Sequence, residues 1–231
     1  RRRAARSWPS EEATAGTVDR ALLRGRECYA GLDLSSTTDL TALVLVFPME
    51  DGTVHVLPFF WIPEETALAK ERRDRVPYTA WARQGFITMT PGNAVDYTRL
   101  EQDIRALATE FRVLEWAYDR WNASMLVQRM QEDGATVVPV GMGYATMSAP
   151  TKHLESLVLQ KRLVHGNHPI LNWMADNLTV EQDAAGNLKP SKAKSRQRID
   201  GMVALIMALS RLMVHAGQGR SVYEERDVLV V

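Results

Sequence analysis

The sequence holds one cysteine, Cys28, so it has no disulfide to form and no thiolate set for a zinc site. The five histidines, His55, His153, His165, His168 and His215, include no pair four residues apart, which leaves a helical His-based zinc centre unsupported. No apolar run approaches the ~20 residues of a bilayer-spanning helix, and no secretory signal is present. A phosphate loop of the Gly-x-x-x-x-Gly-Lys-Ser/Thr kind is missing. Gly141-Met142-Gly143 runs on into Tyr144, and Gly217-Gln218-Gly219-Arg220-Ser221 has neither the spacing nor the lysine. Gly-x-Gly-x-x-Gly after the first strand and Gly-x-Ser-x-Gly are absent as well. These absences exclude a disulfide scaffold and leave P-loop, dinucleotide-binding and serine-hydrolase readings without support. They predict a soluble protein of a reducing compartment. Charge of one sign is lacking too, since 28 Lys+Arg cancel 28 Asp+Glu. Taken alone, that balance argues against a nucleic-acid partner.

What is present is a chain of 231 residues, 45% of them hydrophobic, enough for one α/β domain with a sizeable core. Residues 1–26 are basic and irregular and read as an arm or linker. Three short runs rich in β-branched and aromatic residues follow, Glu27–Leu34, Thr41–Phe47 and Thr53–Ile62. Asp51-Gly52 marks a hairpin between the last two, so the three form a meander. A further short strand is expected around Phe86–Thr90. The period then changes. Tyr97–Phe111 reads as a helix capped by Asp96, Val113–Tyr118 as a strand, Asn122–Asp133 as a helix and Thr136–Val140 as a strand. Thr151–Leu163 and Pro169–Asn177 read as helices, Asn177–Leu188 as an exposed strand pair, and Ile199–His215 as a strongly apolar helix. Antiparallel strands followed by helix–strand alternation predict an α/β fold with a mixed central sheet flanked by helices. The tail from Gly217 carries no pattern.

The residues with chemical potential are acids. Asp33 lies inside the first apolar strand, Asp119 ends the Trp116–Asp119 strand, and Asp200 opens the long apolar helix. A carboxylate at a buried strand end loses hydration and requires compensation. Each alone could be a turn or capping residue. Together, two acids at sheet ends and one at a helix start can converge, and three hard oxygen ligands suit Mg²⁺ or Mn²⁺. Just ahead of Asp200, Lys189, Lys192, Lys194, Arg196 and Arg198 place five cations in ten residues with no acid among them. Charge runs are commonly solvated loops. One leading straight into a candidate metal ligand predicts a phosphate-contact surface. Asp39 is a turn residue or a support for the acids. Asn122 either touches a ligand or caps the following helix, the cap being favoured. Trp116, Trp121 and Trp173 read as core or core-edge.

The segments Gly31-Leu32-Asp33-Leu34-Ser35-Ser36-Thr37-Thr38-Asp39, Tyr118-Asp119-Arg120-Trp121-Asn122, Asn187-Leu188-Lys189-Pro190-Ser191-Lys192 and Arg198-Ile199-Asp200-Gly201-Met202 resemble, in order, the acidic motifs of a known family. It is the nuclease domain of the large terminase subunits of tailed bacteriophages, of the HK97-like group. The resemblance runs over roughly residues 27–215. It implies an RNase H-like fold, with Asp33, Asp119 and Asp200 as catalytic, metal-binding acids for Mg²⁺ or Mn²⁺, two ions in all. It matches no residue to the fourth acid many such nucleases carry. It implies a DNA endonuclease that cuts concatemeric double-stranded DNA in the host bacterial cytoplasm with low sequence specificity. An ATPase domain, a small terminase subunit and the portal would be partners of the whole protein. The chain begins with Arg1 rather than Met, in keeping with a domain of a longer protein. On this reading residues 1–26 are a linker or the end of the ATPase domain, 27–216 the nuclease domain and 217–231 a tail, and the isolated domain is a monomer. Competing expectations are a Holliday-junction resolvase or transposase of the same fold, a sugar-kinase-like phosphotransferase, and a non-catalytic DNA-gripping or portal-docking module.

Overall fold

The computed structural model describes residues 16–35, 39–120 and 125–218. Trp121, Asn122 and the segment Ser36-Thr37-Thr38, singled out above, lie outside the described residues, as do most of the basic arm and the tail beyond 218. A short helix α1 (Arg20–Leu23) leads into the meander β1 (Glu27–Asp33), β2 (Thr41–Pro48) and β3 (Val54–Pro63). Helices α2 (Glu64–Asp74) and α3 (Tyr78–Arg83) and strand β4 (Thr88–Thr90) follow. The alternating half comprises α4 (Tyr97–Glu110), β5 (Arg112–Asp119), α5 (Met125–Glu132), β6 (Val137–Val140), α6 (Tyr144–Leu159) and β7 (Leu163–Val164). Last come α7 (Pro169–Asn177), the hairpin β8 (Val180–Gln182) and β9 (Leu188–Pro190), and the long helix α8 (Asp200–Gln218).

The main sheet runs β4-β3-β2-β1-β5-β6, with β7 paired to β3. β2 runs antiparallel to both β1 and β3, while β5 lies parallel to β1 and β6 parallel to β5. The mixed sheet is therefore as expected, and the Asp51-Gly52 turn is in place with Gly52 at φ +78°. β1 is buried on both faces, and its period of two sorts them. Cys28, Ala30 and Leu32 join the layer that includes α4 and α5, with Leu43, Leu45, Phe47, Leu100 and Ile104. Tyr29, Ala42, Val44 and Val46 pack against α8 on the other side. From Met202 to Leu209 every residue of α8 is buried. A helix apolar on all sides must be enclosed. Here it is enclosed between the sheet and helices α6 and α7.

Four local expectations need correction. The arm is not irregular throughout: α1 is capped by Asp19, its Leu23 is buried in the core, and Arg20 pairs with Glu110 at 2.5 Å, docking residues 20–26 on the end of α4. Helix α6 starts at Tyr144 and contains Pro150 rather than beginning after it. Pro150 is buried within the helix and supplies no N–H to the carbonyl four residues back. Helices α2 and α3 were not foreseen, since α2 carries charge on most positions and, among its described side chains, buries only Ala67. Helix α8 runs to Gln218, into the segment read as tail. No helix among the described residues is long and apolar enough to cross a membrane.

Candidate active site

The last parallel pair between β1 and β5 is Leu32 with Tyr118. Asp33 and Asp119 therefore leave the sheet side by side, on neighbouring strands spaced about 4.8 Å apart. Asp33 lies two residues beyond Gly31 and so shares its face, the one that meets α8. A Cβ built on Gly31 would lie 1.9 Å from the backbone oxygen of Ala204. Only glycine lets the helix backbone rest on the strand there. That close approach brings the first residue of α8, Asp200, to the end of β1. Gly201 fits a similar space, with its N–H donating to Met174 Sδ at 3.0 Å and no room for a Cβ beside the Phe60 ring.

Asp33 is 2% exposed and Asp200 5%. Between them sits the ammonium of Lys192, 2.5 Å from Asp33 Oδ2 and 3.0 Å from Asp200 Oδ1. Burial pushes the Asp33 carboxyl up to about 7; Lys192 opposes this, and the negative charges of Asp200 and Asp119 add to it. Burial works against the Lys192 ammonium, but the two carboxylates outweigh it and hold the proton more tightly than on an ordinary lysine. The second oxygen of Asp200, Oδ2, is buried with no hydrogen-bond donor among the described residues. An acceptor so placed normally finds a partner. A cation already held by two acids, with a further carboxylate oxygen unsatisfied, is the environment of a hard-cation site. Among the described residues, however, no three His, Cys, Asp or Glu side chains converge as a ready-made ligand group. Asp33 and Asp200 meet at Lys192, whereas Asp119 acts on Asp33 by charge from the next strand.

The cations of the 189–198 segment are largely committed to acids elsewhere in the chain. Lys192 serves Asp33 and Asp200. Arg198 pairs with Asp39, which also receives Lys70 of α2. Burial alone would raise the Asp39 carboxyl, but hydrogen bonds from Arg198 and Lys70 hold it at about 2. Asp39 thus ties helix α2 to the segment before α8. The Asp39 N–H donates to Ser35 Oγ at 2.8 Å, and the Tyr97 hydroxyl donates to the Ser35 carbonyl at 2.7 Å. Lys194 and Lys189 lie 3.2 and 3.9 Å from Glu181 on β8, and Lys189 sits over the Tyr144 ring. Ser191 Oγ donates to Glu181 at 2.6 Å, and the Leu188 N–H donates to Ser148 Oγ of α6 at 3.1 Å, pinning the hairpin to that helix. Arg196 makes no ion pair among the described residues. Sequence reasoning missed Lys70 and Glu181. Nothing local marks Lys70, while Glu181 stands on the expected strand pair facing the basic segment.

The model of the family "Terminase large subunit, endonuclease domain" matches residues 6–216. The chain belongs to that family. It is 42% identical over 186 residues to the large terminase subunit of Enterobacteria phage HK97, covering 80% of this chain and 37% of that protein. The crystal structure of the HK97 large terminase superposes with a TM-score of 0.75 at 39% identity, over 84% of this chain and 43% of that one. The large terminase nuclease of the thermophilic phage G20c, solved with bound magnesium, matches with a TM-score of 0.54 at 13% identity, over 81% of this chain and 84% of that one. At that identity the likeness shows the fold, which is RNase H-like. The chain spans less than half of the HK97 protein it resembles.

Proposed function

We propose that this chain is a metal-dependent endonuclease that hydrolyses phosphodiesters of double-stranded DNA, with Asp33, Asp119 and Asp200 as its catalytic acids. The observation that carries the proposal is the Lys192 ammonium held between Asp33 and Asp200 at the end of β1. Magnesium or manganese, two ions on this reading, would be held by these three acids and would supply Lewis-acid charge for the hydrolysis. The G20c nuclease, of the same fold, has been solved with magnesium and with cobalt. Lys192 keeps two buried carboxylates from repelling each other when no ion is bound. Asp39 holds Arg198 beside the acids, where its charge favours a phosphate over bulk water. Water attacks phosphorus, and the bond to the 3′-oxygen breaks. The contacts supplied by Lys189, Lys192, Lys194, Arg196 and Arg198 would go to phosphates, which carry no base information, so sequence preference is low.

Kinship with phage terminases extends the proposal to the whole protein. Its substrate would be concatemeric phage DNA, cut in the cytoplasm of the host bacterium at the start and end of head filling. Its partners would be an ATPase domain, the small terminase subunit and the portal. Residues 27–216 would be the nuclease unit, 1–26 its connection to the motor and 217–231 a tail. The test is a supercoiled plasmid incubated with the purified chain in Mg²⁺, in Mn²⁺ and in EDTA. Nicked and linear products are expected with the metals alone. Cutting undiminished in EDTA, or none under any condition, contradicts the proposal.

A further inference from the structure

A lysine carries its charge on a flexible four-carbon stem, so the ammonium is placed only as well as the backbone beneath it is held. Lys192 is half-exposed along that stem, yet its ammonium lies between Asp33 and Asp200. The residue before it, Ser191, is buried, and each of its polar groups has a partner. Its N–H donates to the Thr179 carbonyl at 2.9 Å. Its carbonyl accepts from the Ser195 N–H at 3.0 Å and from Ser195 Oγ at 2.7 Å. Ser195 Oγ in turn accepts from the Thr179 N–H at 3.0 Å, which closes residues 191–195 onto the chain just before β8. The Ser191 hydroxyl donates to Glu181 Oε1 at 2.6 Å, the length of a charge-assisted bond.

Glu181 stands opposite Lys189 in the β8–β9 pairing, and both its oxygens are engaged. Oε1 takes Ser191 and, at 3.2 Å, Lys194; Oε2 accepts from the Tyr144 hydroxyl at 3.3 Å and lies 3.9 Å from Lys189. Hydrogen bonds from Ser191 and Lys194 hold the Glu181 carboxyl below the usual carboxylate range, so it is a charged acceptor at neutral pH. We infer that Glu181 is a positioning residue: through Ser191 it fixes the backbone from which Lys192 reaches Asp33 and Asp200, and so sets how readily a divalent cation displaces the ammonium. The inference rests on the proposed metal site and deepens it. On that reading the ammonium and the ion compete for the same two carboxylates, and a firmly placed ammonium raises the ion concentration needed to replace it. A plain charge effect of Glu181 has the opposite sign. Removing a nearby negative charge weakens the attraction for a divalent cation and raises that concentration.

Thermal melts of the whole chain over a magnesium series test this, read as the Mg²⁺ concentration that gives half of the rise in Tm. Circular dichroism shows that each variant is folded. Glu181→Ala and Glu181→Gln lose the same charge, but only glutamine keeps an acceptor for the Ser191 hydroxyl. The half-rise concentration of Glu181→Ala is expected to lie about fivefold below that of Glu181→Gln, the weight of one hydrogen bond. Ser191→Ala, which changes no charge, is expected to lie about fivefold below wild type for the same reason. In a Lys192→Met background Ser191→Ala should shift nothing, because the ammonium it places is gone. Equal half-rise concentrations for the two Glu181 variants, or for Ser191→Ala and wild type, overturn the positioning role and leave the metal site standing. So does a Ser191→Ala shift that persists undiminished in Lys192→Met. If wild type shows no magnesium-dependent rise at all, the proposed metal site fails and this inference with it.

Discussion

Lys192 is half-exposed along its side chain, yet its ammonium reaches two almost fully buried carboxylates. Removing one partner of a buried ionic cluster leaves charge uncompensated, and for a fully enclosed pair this costs about 3–5 kcal/mol. Partial solvent access to Lys192 reduces that to about 1–3 kcal/mol. Lys192→Met should therefore melt earlier than wild type in EDTA. It should also be rescued by Mg²⁺ more strongly than wild type, with half the rescue reached at a lower metal concentration. Thermal melts over a magnesium series measure both. Equal magnesium dependence in the two proteins would show that the ammonium does not share a site with the ion. A second residue-scale prediction concerns His168, whose ring packs against Phe60 and Phe86 and whose Nδ1 is buried with no hydrogen-bond partner among the described residues. Burial, with a smaller contribution from His165, lowers its pKa from 6.5 to about 4. A depressed histidine binds its proton more readily when unfolded. Its contribution is therefore intact above pH 6.5 and is lost as the pH falls from 6.5 towards 4. His168→Leu should flatten that acid limb by about 2–3 kcal/mol in urea melts run from pH 7 to pH 4.

At the scale of elements, the site depends on how α8 lies across β1. Gly31 permits the contact, and Glu115 secures the far end of the helix through Arg211 at 2.5 Å and His215 at 3.0 Å. Gly31→Ala would force the Ala204 carbonyl away and move Asp200 with it. A stability loss of about 3 kcal/mol is expected, together with weaker magnesium rescue than that of an equally destabilised variant far from the site. Urea denaturation and the same melt series report the two effects. Much of this arrangement could be read in the sequence. The meander and α8 were legible because apolar residues repeat with the period of each element, and the ends of those patterns pointed to Asp33, Asp119 and Asp200. Helices α2 and α3 were not, because α2 lacks an apolar stripe. The cation–acid pairs were hidden for another reason: Lys192 with Asp33, Arg198 with Asp39 and Lys194 with Glu181 join residues whose proximity only the folded topology creates. A run without acids looked free for phosphate, and the fold supplies its acids from β1, the loop after it and β8.

At the scale of the whole molecule, the zero net charge is a sum of unlike parts. Residues 1–26 contribute +4 and residues 189–198 contribute +5, so the rest carries −9. The structure then spends four of the five cations in the 189–198 segment on acids of its own. On the proposed function, a weak grip on DNA with a shallow salt dependence is the expected property of this chain. The central claim is that Asp33 and Asp200 form one metal-dependent cutting centre. The most direct test is the rate of plasmid cleavage in Mn²⁺ by wild type, Asp33→Asn and Asp200→Asn, each shown by circular dichroism to be folded. The account predicts that both substitutions reduce cutting by about 100-fold or more, as expected when charge stabilisation of the transition state is removed. Wild-type rates from either variant would contradict it.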